Sequence, residues 1–224
     1  LTGDEVYGGL FAGAPGQFDV ILTNPPFGGK ESVAAQTNFD YRTSATQVLF
    51  LQHVIRSLRD GGRCGIVLDE GVLFRTNEDA FVKTKRKLTD DCDLWCIVSL
   101  PGGVFSAAGA GVKTNLLFFT KGKSTQRIWY YDLSDVKVGK KSPLTLKNFE
   151  DFFARSAKRE DSERSWTVDL AERKAKATED AQPFRDLARA KRLAANELKD
   201  HVGIPSWVAL HRTRHFGKAA EDCH

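Results

Sequence analysis

The 224-residue chain contains no methionine and begins at Leu1. A natural gene product starts with methionine, so the chain reads as a fragment of a longer polypeptide. Cysteine is scarce, and Cys64, Cys92, Cys96 and Cys223 follow no disulfide-scaffold spacing. Their mostly apolar neighbours suit buried thiols in a reducing, cytoplasmic compartment. No apolar run reaches the length of a membrane span. No basic segment followed by an apolar one opens the chain, so neither membrane insertion nor secretion is expected. Four of the five histidines (His201, His211, His215 and His224) are scattered near the end, with no nucleophile or carboxylate at a recognisable spacing.

What is present is an ordinary globular composition, 41% hydrophobic and 28% charged. The length suits one α/β domain with a helical appendage. The net charge of +4 hides an asymmetry. Residues 1–120 hold 11 Lys/Arg against 13 Asp/Glu, and residues 121–224 hold 22 against 16. The second part is therefore the electrostatically favoured partner for a polyanion, although alternating signs along helices also describe a solvated surface.

After a Gly-rich opening, Phe18–Thr23 forms a short apolar run stopped by Asn24-Pro25-Pro26. A buried strand ending at a proline pair fits it, because proline cannot continue a ladder. Ser44 is expected to cap a helix with Val48, Leu51, Ile55 and Leu58 on one stripe, ended by Gly61-Gly62. Cys64–Leu68 then reads as a strand buried on both faces. A helix over Glu78–Leu88 and strands over Leu94–Leu100, Lys113–Thr120 and Ile128–Asp132 follow. The alternation implies a parallel sheet with crossover helices, and the last two strands imply an antiparallel edge. Beyond residue 135 the pattern turns helical over Leu146–Ser156. A short extended patch at Ser165–Val168 precedes an Ala/Lys/Arg/Glu-rich helix over Asp169–His201, broken near Gln182-Pro183. Phe184, Leu187, Ala194 and Leu198 give that helix an apolar seam. Three regions are expected: 1–135 as a partial catalytic domain, 136–202 as a helical region for subunit or DNA contact, and 203–224 as a tail without clear pattern.

The chemistry is concentrated in Asn24-Pro25-Pro26-Phe27-Gly28, placed at the carboxyl end of a buried strand. In open parallel sheets the ligand crevice lies outside those ends. An exocyclic amine such as adenine N6 is a poor nucleophile because its lone pair is delocalised into the ring. Two acceptors receiving both N6 hydrogens draw the nitrogen toward tetrahedral geometry and stabilise the positive charge that develops. The Asn24 side-chain oxygen and the Pro25 carbonyl are the candidate acceptors. Paired prolines stiffen the loop, and Phe27 offers a flat face to a base. A neutral Asn is no general base, so such a transfer relies on positioning. A base inside a duplex must be flipped out to be reached. Phe105, in a glycine-rich loop after a strand end, is the candidate second aromatic for holding it; the alternative is a core residue anchoring its loop.

The run Phe18–Gly28 resembles the catalytic motif of the adenine-N6 DNA methyltransferase family. Asp60–Arg63, Glu70–Phe74, Ser99–Phe105 and Gly111–Phe119 resemble the modification subunits of type I restriction-modification systems, in order and spacing, across about residues 1–135. The resemblance implies a class I S-adenosylmethionine-dependent methyltransferase fold (Rossmann-like), here the C-terminal half of the sheet with a helical appendage. It implies catalytic roles for Asn24, Pro25, Pro26 and Phe27, and target-base contacts for Phe27, Gly28 and Phe105. It further implies S-adenosylmethionine as cofactor, with DNA, a specificity subunit and a restriction subunit as partners.

The family's Gly-rich cofactor loop is expected upstream of Leu1. Asp4, in Gly3-Asp4, resembles the acidic position that meets the cofactor's adenine, and a loop pair is the alternative. Without its neighbouring strand, the Val20–Thr23 strand is expected to present an apolar edge suited to self-association. Cys92 and Cys96 lack a second ligand pair and read as core thiols, so no metal site is expected. Asp69-Glu70 reads as a structural loop, with acid–base work the alternative. The Lys83–Lys87 run reads as the outer face of its helix, with phosphate contact the alternative. Two other functions stay open: a docking fragment without catalysis, and transfer to a protein glutamine amide.

Overall fold

The computed structural model describes residues 16–105, 111–139 and 141–202. The chain divides into two compact units, up to Leu170 and from Ala171. In the first unit β1 (Phe18–Thr23) precedes a short helix α1 (Val33–Gln36) and α2 (Thr46–Ser57). Then come β2 (Leu58–Asp69), α3 (Glu70–Phe74), α4 (Asp79–Asp91) and β3 (Cys92–Ser99). β4 (Thr114–Lys121), β5 (Arg127–Asp132), a 3-10 turn at Leu146–Phe149, α5 (Glu150–Ser156) and β6 (Ser165–Asp169) complete it. The six strands form one sheet in the order β1-β2-β4-β3-β5-β6. The extended patch at 165–168 is thus a strand, on the far edge beside β5.

One face of the sheet carries Ile66, Leu68, Leu94, Ile97, Leu117 and Phe119, covered by Val48, Leu51 and Ile55 of α2 and Phe81 and Leu88 of α4. The apolar stripe expected for α2 is the side that packs. The other face carries Cys96, Val98, Trp129 and Tyr131, covered by Phe152 of α5. Burial pushes the Cys64, Cys92 and Cys96 thiols up to about 12, so they remain protonated and act as small hydrophobes.

Three local expectations about the strands and α2 are corrected by the structure. β4 and β5 do not form an antiparallel edge pair. β4 lies between β2 and β3, antiparallel to both, and β5 pairs parallel with β3. The short connection from β4 to β5 crosses the start of β3, where the Thr125 hydroxyl donates to the Cys92 carbonyl (2.6 Å) and accepts from Leu94 N–H (2.9 Å). Ser44 does not cap α2, whose N-cap residue is Ala45. Gly61-Gly62 does not end α2 either. Leu58 is already extended, and both glycines lie within β2. Gly62 is needed there because a Cβ would lie 2.9 Å from the Phe18 carbonyl oxygen, beside the register shift between β1 and β2.

In the second unit the long helix α6, which starts at Leu170 and runs to Val202, continues through Pro183 without the expected break. Proline removes one backbone donor, but the helix is rich in Ala, Lys, Arg, Glu and Leu on either side, residues that favour helix strongly enough to carry it through.

Candidate active site

The parallel strands β1 and β2 end side by side, with Thr23 paired to Ile66. The chain leaves β1 through Asn24-Pro25-Pro26-Phe27, with Pro25 buried, Asn24 and Pro26 exposed and Phe27 half-buried. The motif lies at a strand's carboxyl end as expected, but β1 is not the buried strand the apolar run implied: it is an edge strand with Phe18, Val20 and Leu22 exposed. The Asn24 carboxamide is exposed and has no hydrogen-bond partner among the described residues, so both its acceptor and its donors are available to a ligand. Gly28 and Gly29 follow with φ of +72° and +90°, a left-handed stretch that turns the loop back toward α2 at little strain for glycine.

Phe105 follows β3 by a tight turn through Gly103, which has a φ of +84°. Its ring lies 4.9 Å from that of Phe27, at 51° between planes. Two residues far apart in sequence thus meet at the mouth of the site. Phe105 also packs against the second core cluster, so the anchoring role and the site-lining role coincide in one side chain. At this separation the two rings are in direct, tilted contact with each other. Asp4 lies outside the described residues, as do Cys223 and the tail from 203.

Asp69-Glu70 serves as structure. Asp69 Oδ1 accepts from Val72 N–H (3.0 Å) and caps α3, and Glu70 pairs with Lys113 (3.1 Å). In the basic run, Lys83 pairs with Asp79 and Lys87 with Asp91 and Asp40, while the Lys85 ammonium donates to the Leu73 and Arg75 carbonyls.

Sequence reasoning missed a polar layer at the same end of the sheet. Gln47, at the start of α2, accepts from Asp69 N–H through Oε1 (2.9 Å). Ser99 at the end of β3 donates to Asn115 Oδ1 at the start of β4 (3.1 Å). The Nε2 of Gln47, the Nδ2 of Asn115 and the hydroxyl of Thr114 are buried without a hydrogen-bond partner among the described residues. Each such group costs about 1–3 kcal/mol if left unmet. The one signal in the sequence was that these polar residues interrupt apolar elements, as Thr114-Asn115 does just before Leu116–Phe119.

The profile of the N-6 DNA Methylase family matches residues 5–182. The EcoEI methylase subunit of a type I restriction enzyme, from Escherichia coli, is 41% identical over 167 residues, covering 69% of this chain and 34% of the relative. A solved modification subunit of a putative type I restriction enzyme from Vibrio vulnificus YJ016 is 34% identical, with a TM-score of 0.63 over 70% of this chain and 34% of that one. A chain from a structure addressing complex assembly and conformational transition of the type I R-M system is 40% identical, with a TM-score of 0.64 over 72% of this chain and 36% of that one. The chain spans about a quarter to a third of the length of the curated relatives it matches.

Proposed function

Because the chain belongs to the N-6 DNA methylase family, we propose that it is the target-base half of a site-specific DNA methyltransferase that methylates adenine N6 within a type I restriction-modification system. The observation that carries this is the meeting of Phe105 with Phe27, which lies three residues on from an exposed Asn24 carboxamide that has no hydrogen-bond partner among the described residues. In this reading the flipped adenine stacks against the two rings. The Asn24 oxygen and the Pro25 carbonyl accept its two N6 hydrogens, which localises the nitrogen lone pair and stabilises the cationic nitrogen as its new bond forms. One N6 proton then leaves to solvent. Gly28, with open space where a Cβ would be, leaves room beside the loop for the nucleotide.

S-adenosylmethionine supplies the electrophilic methyl group when bound. The described residues fit the acceptor side of the reaction and not the donor side. The Gly-rich turn they place after a parallel strand is the Asn24–Gly29 loop itself, which is taken up by the base. The donor motif is therefore assigned outside these residues. Calorimetric titration of the isolated chain with S-adenosylmethionine is expected to show no binding heat. Micromolar binding would require the Gly-rich opening and Asp4 to be the donor site.

DNA, a specificity subunit and a restriction subunit are the proposed partners, in the cytoplasm; among the described residues no helix is long and apolar enough to cross a membrane. Two surfaces support docking. α6 exposes Phe184 and Leu187, three residues apart and so on one helical face, which suits another subunit. β1 is an edge strand with Val20 and Leu22 exposed, which suits pairing with a further strand or a second copy.

The aromatic pair gives a direct test. In the full-length enzyme, Phe27→Ala and Phe105→Ala are each expected to lower kcat/KM by about 5- to 100-fold, following the roughly 1–3 kcal/mol of stacking on one base. Their effects should be less than additive, because one ring cannot hold the base without the other. If Phe105→Ala lowers only the melting temperature, its role is confined to the core.

A further inference from the structure

The loop carrying Asn24 is tied down by one residue that the acceptor chemistry leaves unused. All three polar groups of Glu31 are engaged. Its N–H donates to the Ser44 carbonyl (2.9 Å), its carbonyl accepts from Gln36 Nε2 (3.0 Å), and its carboxylate accepts from the Thr46 hydroxyl (3.0 Å). Thr46 is buried in the first turn of α2. The same hydroxyl lies 2.9 Å from where a Cβ on Gly29 would be, so the loop backbone rests directly on it. The Glu31 side chain lines a largely apolar pocket with Ala35, Phe39, Thr46, Leu49, Phe50 and His53, where a hydrogen bond to a carboxylate is stronger than in water. The next helical residue, Gln47, holds the carboxyl end of β2 through Asp69 N–H. One turn of α2 is thereby bonded to the loop leaving β1 on one side and to the end of β2 on the other.

We propose that Glu31 is a positioning residue of the acceptor site: acting through Thr46, it fixes the Asn24–Phe27 loop at a set distance from the end of β2. This rests on the reading of that loop as the base-binding site. The arrangement explains why the two positive-φ glycines are followed by a carboxylate. Gly28-Gly29 brings the chain onto Thr46, and Glu31 locks it there.

Amide hydrogen exchange on the chain as it stands, together with steady-state kinetics of the full-length enzyme, tests this. Glu31→Ala and Thr46→Val are expected to speed exchange across residues 27–31 at least tenfold, while 48–57 and 63–69 stay as in the parent. In the kinetics they should lower kcat at least tenfold with KM for S-adenosylmethionine unchanged. Glu31→Gln, which keeps an oxygen for the Thr46 hydroxyl, should restore both readouts. Unchanged exchange in Glu31→Ala and Thr46→Val, or a Glu31→Gln variant as impaired as Glu31→Ala, overturns the proposal. A parent enzyme that transfers no methyl to adenine overturns the functional reading instead, and the exchange data alone then decide whether Glu31 holds the loop.

Discussion

Replacing Asn24 by alanine in the full-length enzyme is expected to lower the methyl-transfer rate by about 10²- to 10³-fold, the cost of removing one preorganised hydrogen-bonding group from a centre where charge develops. The loss should fall on kcat. The side chain is exposed and holds no hydrogen bond among the described residues, so the fold does not depend on it, and exposed substitutions away from caps and cores change stability by only about 0.5 kcal/mol. Single-turnover transfer with enzyme in excess over DNA isolates the chemical step from product release. A fall in DNA affinity with an unchanged single-turnover rate would move Asn24 from the reacting amine to base recognition. A parallel fall in melting temperature would make it a structural residue of the loop.

The largest expected effect on stability comes from Phe119→Ala. Phe119 is fully buried on β4 and paired with Cys64 of β2 and Leu94 of β3. Truncating it opens a cavity in the middle of the sheet that flanking strands cannot close without breaking register. The cost is about 3–5 kcal/mol, against a total of roughly 5–15 kcal/mol for a domain. Chemical denaturation should show a lower midpoint with an unchanged slope. A loss below about 1 kcal/mol would mean that the sheet repacks and that β4 is less central than its position between β2 and β3 indicates.

The placement of the candidate motif was legible where the sequence states it locally. Asn24-Pro25-Pro26-Phe27 follows an apolar hexapeptide, and β1 ends at Thr23 as that punctuation implies. The α2 stripe and the β2, β3 and β5 strands could be read from periodicity and β-branched or aromatic content. Pairing could not. Nothing local distinguishes a β4 that pairs next to β5 from one inserted between β2 and β3; a central position is what lets β4 pack apolar side chains on both faces, Leu117 and Phe119 buried on one and Leu116 and Phe118 half-buried on the other. The crossing of β3 depends on Thr125, whose buried hydroxyl looks in sequence like any turn threonine.

Within the site, Phe105 was singled out by asking what a flipped base needs; its contact with the Phe27 ring is a finding of the structure that the sequence does not state. The supports were invisible for a different reason. Glu31, Thr46 and Gln47 are polar residues flanking a helix start, a place where capping or solvation is the ordinary explanation. Only the three-dimensional structure shows that Thr46 and Gln47 face the loop and the end of β2. Pro183 misled because proline's cost to a helix, about 3 kcal/mol, says nothing about how much helix surrounds it.

In the proposed function, this chain holds a flipped adenine with its N6 amine against Asn24. The most direct measurement is nucleoside mass spectrometry of DNA treated with S-adenosylmethionine and the full-length polypeptide carrying this chain, together with its specificity partner. N6-methyladenine is expected at a defined site, abolished to near background in Asn24→Ala and strongly reduced in Phe27→Ala. Methyl groups found on cytosine or only on protein, or N6-methyladenine formed equally by Asn24→Ala, would contradict it.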